Sequence, residues 1–108
     1  MTDADTSLAG RARAGDRAAF EELVRRTGRL VFARLYPDVG DVHRAEDLTQ
    51  ETYLRAFRAV RTLADPAGFR PWLLAIAHGV LVDSVRSDAR QKRAAPPRSD
   101  TPLLLVPA

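Results

Sequence analysis

"AEDLTQETYLRAF", residues 45–57, is the stretch on which the fold turns. At about 100° per residue, a helix here places Ala45, Leu48, Thr52, Ala56 and then Val60 along one side, a natural core stripe. Asp47, Gln50, Glu51, Leu54 and Arg58 fall within roughly a third of the circumference on the other side. Tyr53 and Phe57 flank the apolar arc. That second side is polar and should face water, yet it holds a leucine among acids and an amide. Two readings are open. Leu54 is a tolerated exposed leucine, which is common on protein surfaces. Or it is the dry centre of a docking patch, rimmed by hydrogen-bond acceptors suited to a basic helical partner.

Working outward, strand signals are nearly absent and four helical segments can be read. The first covers about 6–14 and ends at Gly15, with Asp16 placed to cap the next. The second covers about 17–35 and carries Phe20, Leu23, Val24, Leu30, Val31 and Leu35, with Gly28 inside it. Pro37 and Gly40 mark "YPDVGD" (36–41) as a loop. The third helix starts around Val42–Ala45, with Asp41 or a near neighbour as its cap, and runs to about Val60. "RTLADPAG" (61–68) reads as a second loop, and Pro71 suits the first turn of a fourth helix running to about Ala89. Trp72, Leu73, Ile76, Ala77 and Val80 form that helix's core stripe, so Trp72 reads as core and not as a stacking platform. Asp83 projects near the same stripe, with Arg86 as its expected partner. The predicted fold is therefore all-α: a compact bundle of about four helices over 1–93, followed by a proline-rich linker or tail at 94–108. The tail, "AAPPRSDTPLLLVPA", has four prolines in fifteen residues, and an unstructured end is expected.

Composition bounds the function. With 108 residues, 45% hydrophobic and 29% charged, the chain is one domain's worth of soluble globular protein. No apolar run approaches the ~18–20 residues a bilayer span requires, so no membrane partner is expected. The acidic start "MTDADTSLAG" lacks the order of a signal peptide. Cysteine is absent, which excludes disulfides and thiolate metal sites and is compatible with a cytoplasmic location. The net charge of +3 is uneven: residues 1–89 hold thirteen Arg against thirteen acids, and the excess comes from Arg90, Lys92, Arg93 and Arg98 against Asp100. Residues 38–51 hold five acids and only Arg44, an acidic block opposite a basic end.

Three strings taken together carry a resemblance. "AFEELVRRTGRLVFARL", "AEDLTQETYLRAFRAV" and "FRPWLLAIAHGVLVDSVR" occur in the order and separation of region 2 of the extracytoplasmic-function (ECF) sigma factors, a branch of the sigma-70 family that the chain resembles over about 17–90. In that family the third helix docks on the clamp helices of the RNA polymerase β′ subunit. The resemblance gives Asp47, Gln50 and Glu51 as the matching polar contacts and Leu54 as the dry centre. The loop after that helix helps hold a base flipped from the non-template strand of the promoter −10 element. Positions Arg61, Thr62, Leu63, Asp65, Phe69 and Arg70, then His78, Gly79, Arg86 and Arg90 on the fourth helix, are the expected DNA-binding set. The chain departs from the pattern at Ala75, His78 and Gly79, where the family shows basic or polar residues and asparagine. Gly79 is read as permitting close approach by a neighbour, and His78 as facing solvent or DNA.

The resemblance implies a factor that binds core RNA polymerase and opens the promoter without bond chemistry or cofactor, with an anti-sigma factor as a further partner. A module that only binds an anti-sigma factor is the second reading. An enzyme is the third: His43, Glu46, Asp47 and Glu51 would have to form a metal site, but Asp47 and Glu51 point away from the apolar arc, where bundle metal sites need inward ligands. Complete ECF factors continue into a helix-turn-helix domain that reads the −35 element. Nothing after Ala94 encodes one, and the linker-like tail suggests a region 2 separated from a longer chain, with a reduced natural protein as the alternative.

Overall fold

The computed structural model describes residues 3–94, and the tail expected at 94–108 lies, but for the backbone of Ala94, outside them. Four helices follow in order: α1 (Asp3–Arg13), α2 (Arg17–Val39), α3 (Val42–Ala59) and α4 (Phe69–Ala94). Between α3 and α4 the chain makes two short 3-10 turns, Val60–Thr62 and Pro66–Gly68. No strand occurs among the described residues, so the fold is the all-α bundle read from the sequence.

The punctuation explains the boundaries. Gly15 adopts φ 108°, a left-handed conformation that glycine reaches at little cost, and reverses the chain after α1. Asp16 then caps α2 by accepting from the Ala19 N–H at 3.1 Å. Its other oxygen is gripped by Arg11 Nε and Nη2 at 3.1 and 3.0 Å. Asp41 caps α3 in the same way, accepting from the Arg44 N–H at 3.0 Å.

Three boundaries differ from expectation, the first being the start of α1 at Asp3 where about residue 6 was expected. The segment 36–41 is not a loop throughout, because α2 continues through Pro37 to Val39. Proline removes the bond that residue 37 would give to the carbonyl of Ala33, but both residues are exposed, so water can satisfy that carbonyl. The Phe32 and Tyr36 rings stack at 5.6 Å beside it, and Gly40, at φ 73°, closes the turn by donating to the Tyr36 carbonyl at 2.8 Å. At the other end α4 begins at Phe69, with Pro71 in its first turn, and runs on to Ala94 instead of stopping near Ala89.

Leu23, Val31 and Leu35 from α2, Ala56 from α3, and Phe69, Leu73 and Ala77 from α4 are buried together, and Ala45 and Val80 are buried as well. Ala9 and Ala12 bring α1 against them, small enough for a close helix contact. Trp72 packs half-buried against this core, its ring 5.7 Å from that of Phe69. Thr52 reaches the core position assigned to it by returning its hydroxyl to the Leu48 carbonyl at 2.8 Å, which satisfies the buried oxygen. Gly79 does not serve a close approach: nothing lies within 4 Å of where a Cβ would stand, so its helix neighbours leave space there.

Candidate functional site

Helix α3 has the two sides its sequence implies. Ala45, Thr52 and Ala56 are fully buried, while Asp47, Gln50, Leu54 and Arg58 face outward, Leu54 with half its surface exposed. The Asp47–Leu54 surface is thus outside the chain's own interior. Glu51 is the exception within the set. It is half-buried at the cleft between α3 and α4, and Arg55, one turn on in α3, donates from Nε to its Oε2 at 3.1 Å. The exposed patch is also larger than the four residues expected. Phe57, 44% exposed, joins Leu54 one turn along. Together with Tyr53, and with Phe20 and Val24 of α2, they line an open apolar groove of about 430 Å³, flanked by Arg17, Glu21 and Gln50. Phe57 meets Phe20 edge-on at 5.3 Å and lies 5.5 Å beneath the Arg17 guanidinium. The i, i+3 spacing of Leu54 and Phe57 was the available signal for this extension.

On its other flank α3 is tied to α4 by two arginines. Arg44 donates to Ser84 Oγ and to Asp88 Oδ2, the latter at 2.7 Å. Arg55 Nη1 donates to Asp83 Oδ2 at 2.8 Å. Because Arg44 precedes Arg55 while Asp88 follows Asp83, the two helices run antiparallel. Asp83 is therefore exposed and paired across helices, not near the core with Arg86 as its sequence position suggested. The neighbouring carboxylates, Asp83 first and then Glu51, push the Arg55 guanidinium above its ordinary value.

The expected DNA-binding residues divide into three groups. Leu63 and Phe69 are 4% and 0% exposed, so their side chains belong to the core and can only shape the loop. Their apolar bulk follows the same burial as the rest of the core. Arg70 is half-buried and engaged: its Nε donates to Oδ2 of Asp5 at 2.7 Å, with Arg26 Nη1 3.8 Å from the other oxygen. Arg61, Thr62 and Asp65 are exposed in the loop, as are His78, Arg86 and Arg90 on α4, with Gly79 half-buried. Thr62 donates to the Ala59 carbonyl at 2.6 Å, and Asp65 caps the second 3-10 turn by accepting from the Ala67 N–H at 3.0 Å. At helical spacing Gly79, Arg86 and Arg90 form one row, and Arg70 lies roughly half a turn away from it. Exposed Arg93 continues that row and was not singled out from sequence. Arg13 was missed as well. Its Nη1 donates to the carbonyls of Leu63 and Ala64, both at 3.2 Å, and so fixes the loop from fifty residues away.

Among the described residues no three His, Cys, Asp or Glu side chains converge as a metal site; His43 lies 3.8 Å from Glu46. No helix there is long and apolar enough to cross a membrane.

Comparison with known proteins places the chain that forms this bundle in a family. The model of sigma-70 region 2 matches residues 11–91, and the chain belongs to that family. It is similar to the ECF RNA polymerase sigma factor SigE of Mycolicibacterium smegmatis, 41% identical over 86 residues, which are 77% of this chain and 33% of that protein. It is equally similar to the ECF RNA polymerase sigma factor SigC of Mycobacterium tuberculosis, 41% identical over 98 residues, 88% of this chain and 52% of that one. The ECF RNA polymerase sigma factor BldN of Streptomyces coelicolor is 38% identical over 81 residues, covering 74% and 31%. The chain therefore spans about a third to a half of the length of these curated relatives.

Proposed function

We propose that this domain binds the β′ clamp helices of core RNA polymerase through Asp47, Gln50, Glu51 and Leu54, and recognises and melts the promoter −10 element through α4 and the loop before it. The observation that carries the reading is Leu54. It is half exposed on a helix whose opposite side completes the core, and Asp47 and Gln50 stand exposed beside it. Burial of that leucine and of adjoining Phe57 by a partner would release apolar surface from water, while the acceptors select a cationic helix. On the promoter side, the loop would hold one unstacked base of the non-template strand, and Arg61, Arg86 and Arg90 would track phosphates. Strand opening would follow from that capture, without bond chemistry. With its arginines balanced by acids over residues 1–89, the isolated domain should hold duplex DNA weakly.

The test is a pull-down of purified β′ clamp helices with the chain and with Leu54→Ala and Gln50→Ala. Leu54→Ala should weaken capture about tenfold, the loss of one well-buried apolar anchor. Unchanged capture by both variants overturns the assignment of this face.

A second reading is a module held by an anti-sigma factor without promoter-opening activity of its own. The ion pair that engages Arg70, and the Ala75, His78 and Gly79 departures, favour it. Fusion to an intact −35-binding domain followed by run-off transcription separates the two, because open-complex formation excludes a pure decoy.

A further inference from the structure

We propose that Arg55 is a positioning residue that couples the docking face of α3 to the promoter-side helix α4, an inference that rests on the polymerase-docking reading above. One guanidinium serves two carboxylates on different helices. Nε donates to Glu51 Oε2 at 3.1 Å within α3, and Nη1 donates to Asp83 Oδ2 at 2.8 Å on α4. The planar fork fixes the angle between those two bonds, so the position of Asp83 constrains where Glu51 can place its carboxylate. The hydrogen bond uses Oε2 of Glu51 and leaves Oε1 for an incoming donor.

Glu51 needs such help. An unrestrained glutamate gives up side-chain rotamer freedom when a partner captures it, and prior restraint in the binding rotamer removes that cost. Of the acidic and amide side chains in the set, Glu51 is the one turned toward α4, and Asp47 and Gln50 are not engaged by it. Arg44 supplies a second tie between the same helices through Ser84 and Asp88. The packing of α3 on α4 therefore does not depend on Arg55 alone, and the effect of Arg55 on Glu51 can be separated from its effect on the fold. Coupling of this kind is reciprocal: whatever Asp83 contributes to clamp-helix affinity, clamp-helix binding returns to the α3–α4 link.

The experiment is a double-mutant cycle on the full 108-residue chain, reading the Kd for a β′ clamp-helix fragment. Asp83→Asn lies off the docking face, yet it should weaken binding about fivefold, the low end for coupled sites because these groups are partly exposed. In an Arg55→Ala background the same change should have no effect. Arg55→Lys should behave like Arg55→Ala, since one ammonium cannot reproduce the fork. Arg55→Gln provides a second background should Arg55→Ala unfold, with circular dichroism checking each variant. Equal effects of Asp83→Asn in both backgrounds, including no effect in either, overturn the proposal. Leu54→Ala is the control that tells the two readings apart. If it leaves the Kd unchanged, the docking face itself is wrong and this inference falls with it; if it weakens binding while Asp83→Asn proves additive, only the role of Arg55 is refuted.

Discussion

Arg70 Nε donates to Asp5 Oδ2 at 2.7 Å across 65 residues of sequence, joining the first turn of α4 to the first turn of α1. Asp5 is 1% exposed, and the Arg70 side chain 32%. A buried carboxylate that loses its nearest cation is costly, whereas an arginine at the surface can return to water. Because Arg26 remains 3.8 Å from the other oxygen, Arg70→Ala should destabilise the domain by about 2 kcal/mol, the loss of one charged hydrogen bond, read as a lowered urea midpoint at unchanged slope. Arg86→Ala, on an exposed stretch of α4, should change stability by less than about 0.5 kcal/mol. Equal midpoints for the two variants would show that the Asp5 pair contributes nothing to folding.

The same geometry sorts the arginines available to the proposed promoter contact. Exposed Arg86 and Arg90 share a row with Gly79, whereas Arg70 is engaged by Asp5. In promoter complexes assembled with polymerase, Arg86→Ala and Arg90→Ala should each reduce the slope of log K against log salt by about 0.7, the value for one single-strand phosphate contact. A slope unchanged by both would remove that row from the interface.

Much of this was legible in the chain. Asp16 and Asp41 announced their helices because a cap is a local event, settled by three residues of backbone. The two sides of α3 followed from periodicity, which is also local. Pro37 misled because its usual effect assumes an unhydrated lost bond, and here the carbonyl is at the surface. The ties that hold the site were not legible at all. Asp5 to Arg70, Arg13 to the Leu63 and Ala64 carbonyls, and Arg55 to Asp83 each span 28 to 65 residues. In a chain with sixteen arginines, spacing alone cannot say which carboxylate each one reaches. Leu63 and Phe69 show the converse, since a loop motif gave them to DNA while the core claimed their side chains.

Acid should unfold the protein partly through its caps. The Ala19 N–H first, and then Arg11, hold the Asp16 carboxyl below its ordinary 3.8, and the Arg44 N–H does the same for Asp41. A carboxyl depressed in the folded state contributes stability above its unfolded value, and that contribution is lost as pH falls through the folded one. The Tm should be flat between pH about 5 and about 9 and fall below about 4. Asparagine caps a helix as well as aspartate does but does not titrate. Asp16→Asn should thus keep most of the Tm at neutral pH and flatten the acid limb; an acid limb identical to that of the parent chain would exclude Asp16 as a contributor.

Alkali should act on the seam between α2 and α3, through Tyr53. Its hydroxyl lies 2.6 Å from Thr27 Oγ1, and Thr27 is fully buried and donates its one proton to the Leu23 carbonyl at 2.7 Å. Tyr53 must then be the donor to Thr27. Burial pushes the Tyr53 phenol above its ordinary 10.0, against the lowering effect of the Arg70 guanidinium. The folded state then keeps its proton at a pH where the unfolded chain has begun to release it. The stability this provides is complete below the unfolded value near 10 and is lost as pH rises from there through the folded value. Tyr53→Phe removes the proton and the bond together, so it should cost about 1 kcal/mol at pH 7 and leave a shallower decline above pH about 10. Thr27→Val keeps the phenol but takes away its acceptor, and should cost a similar amount at pH 7 while retaining the alkaline decline. If the two variants show the same alkaline slope in urea melts, the proton on Tyr53 is not the group that links α2–α3 packing to pH.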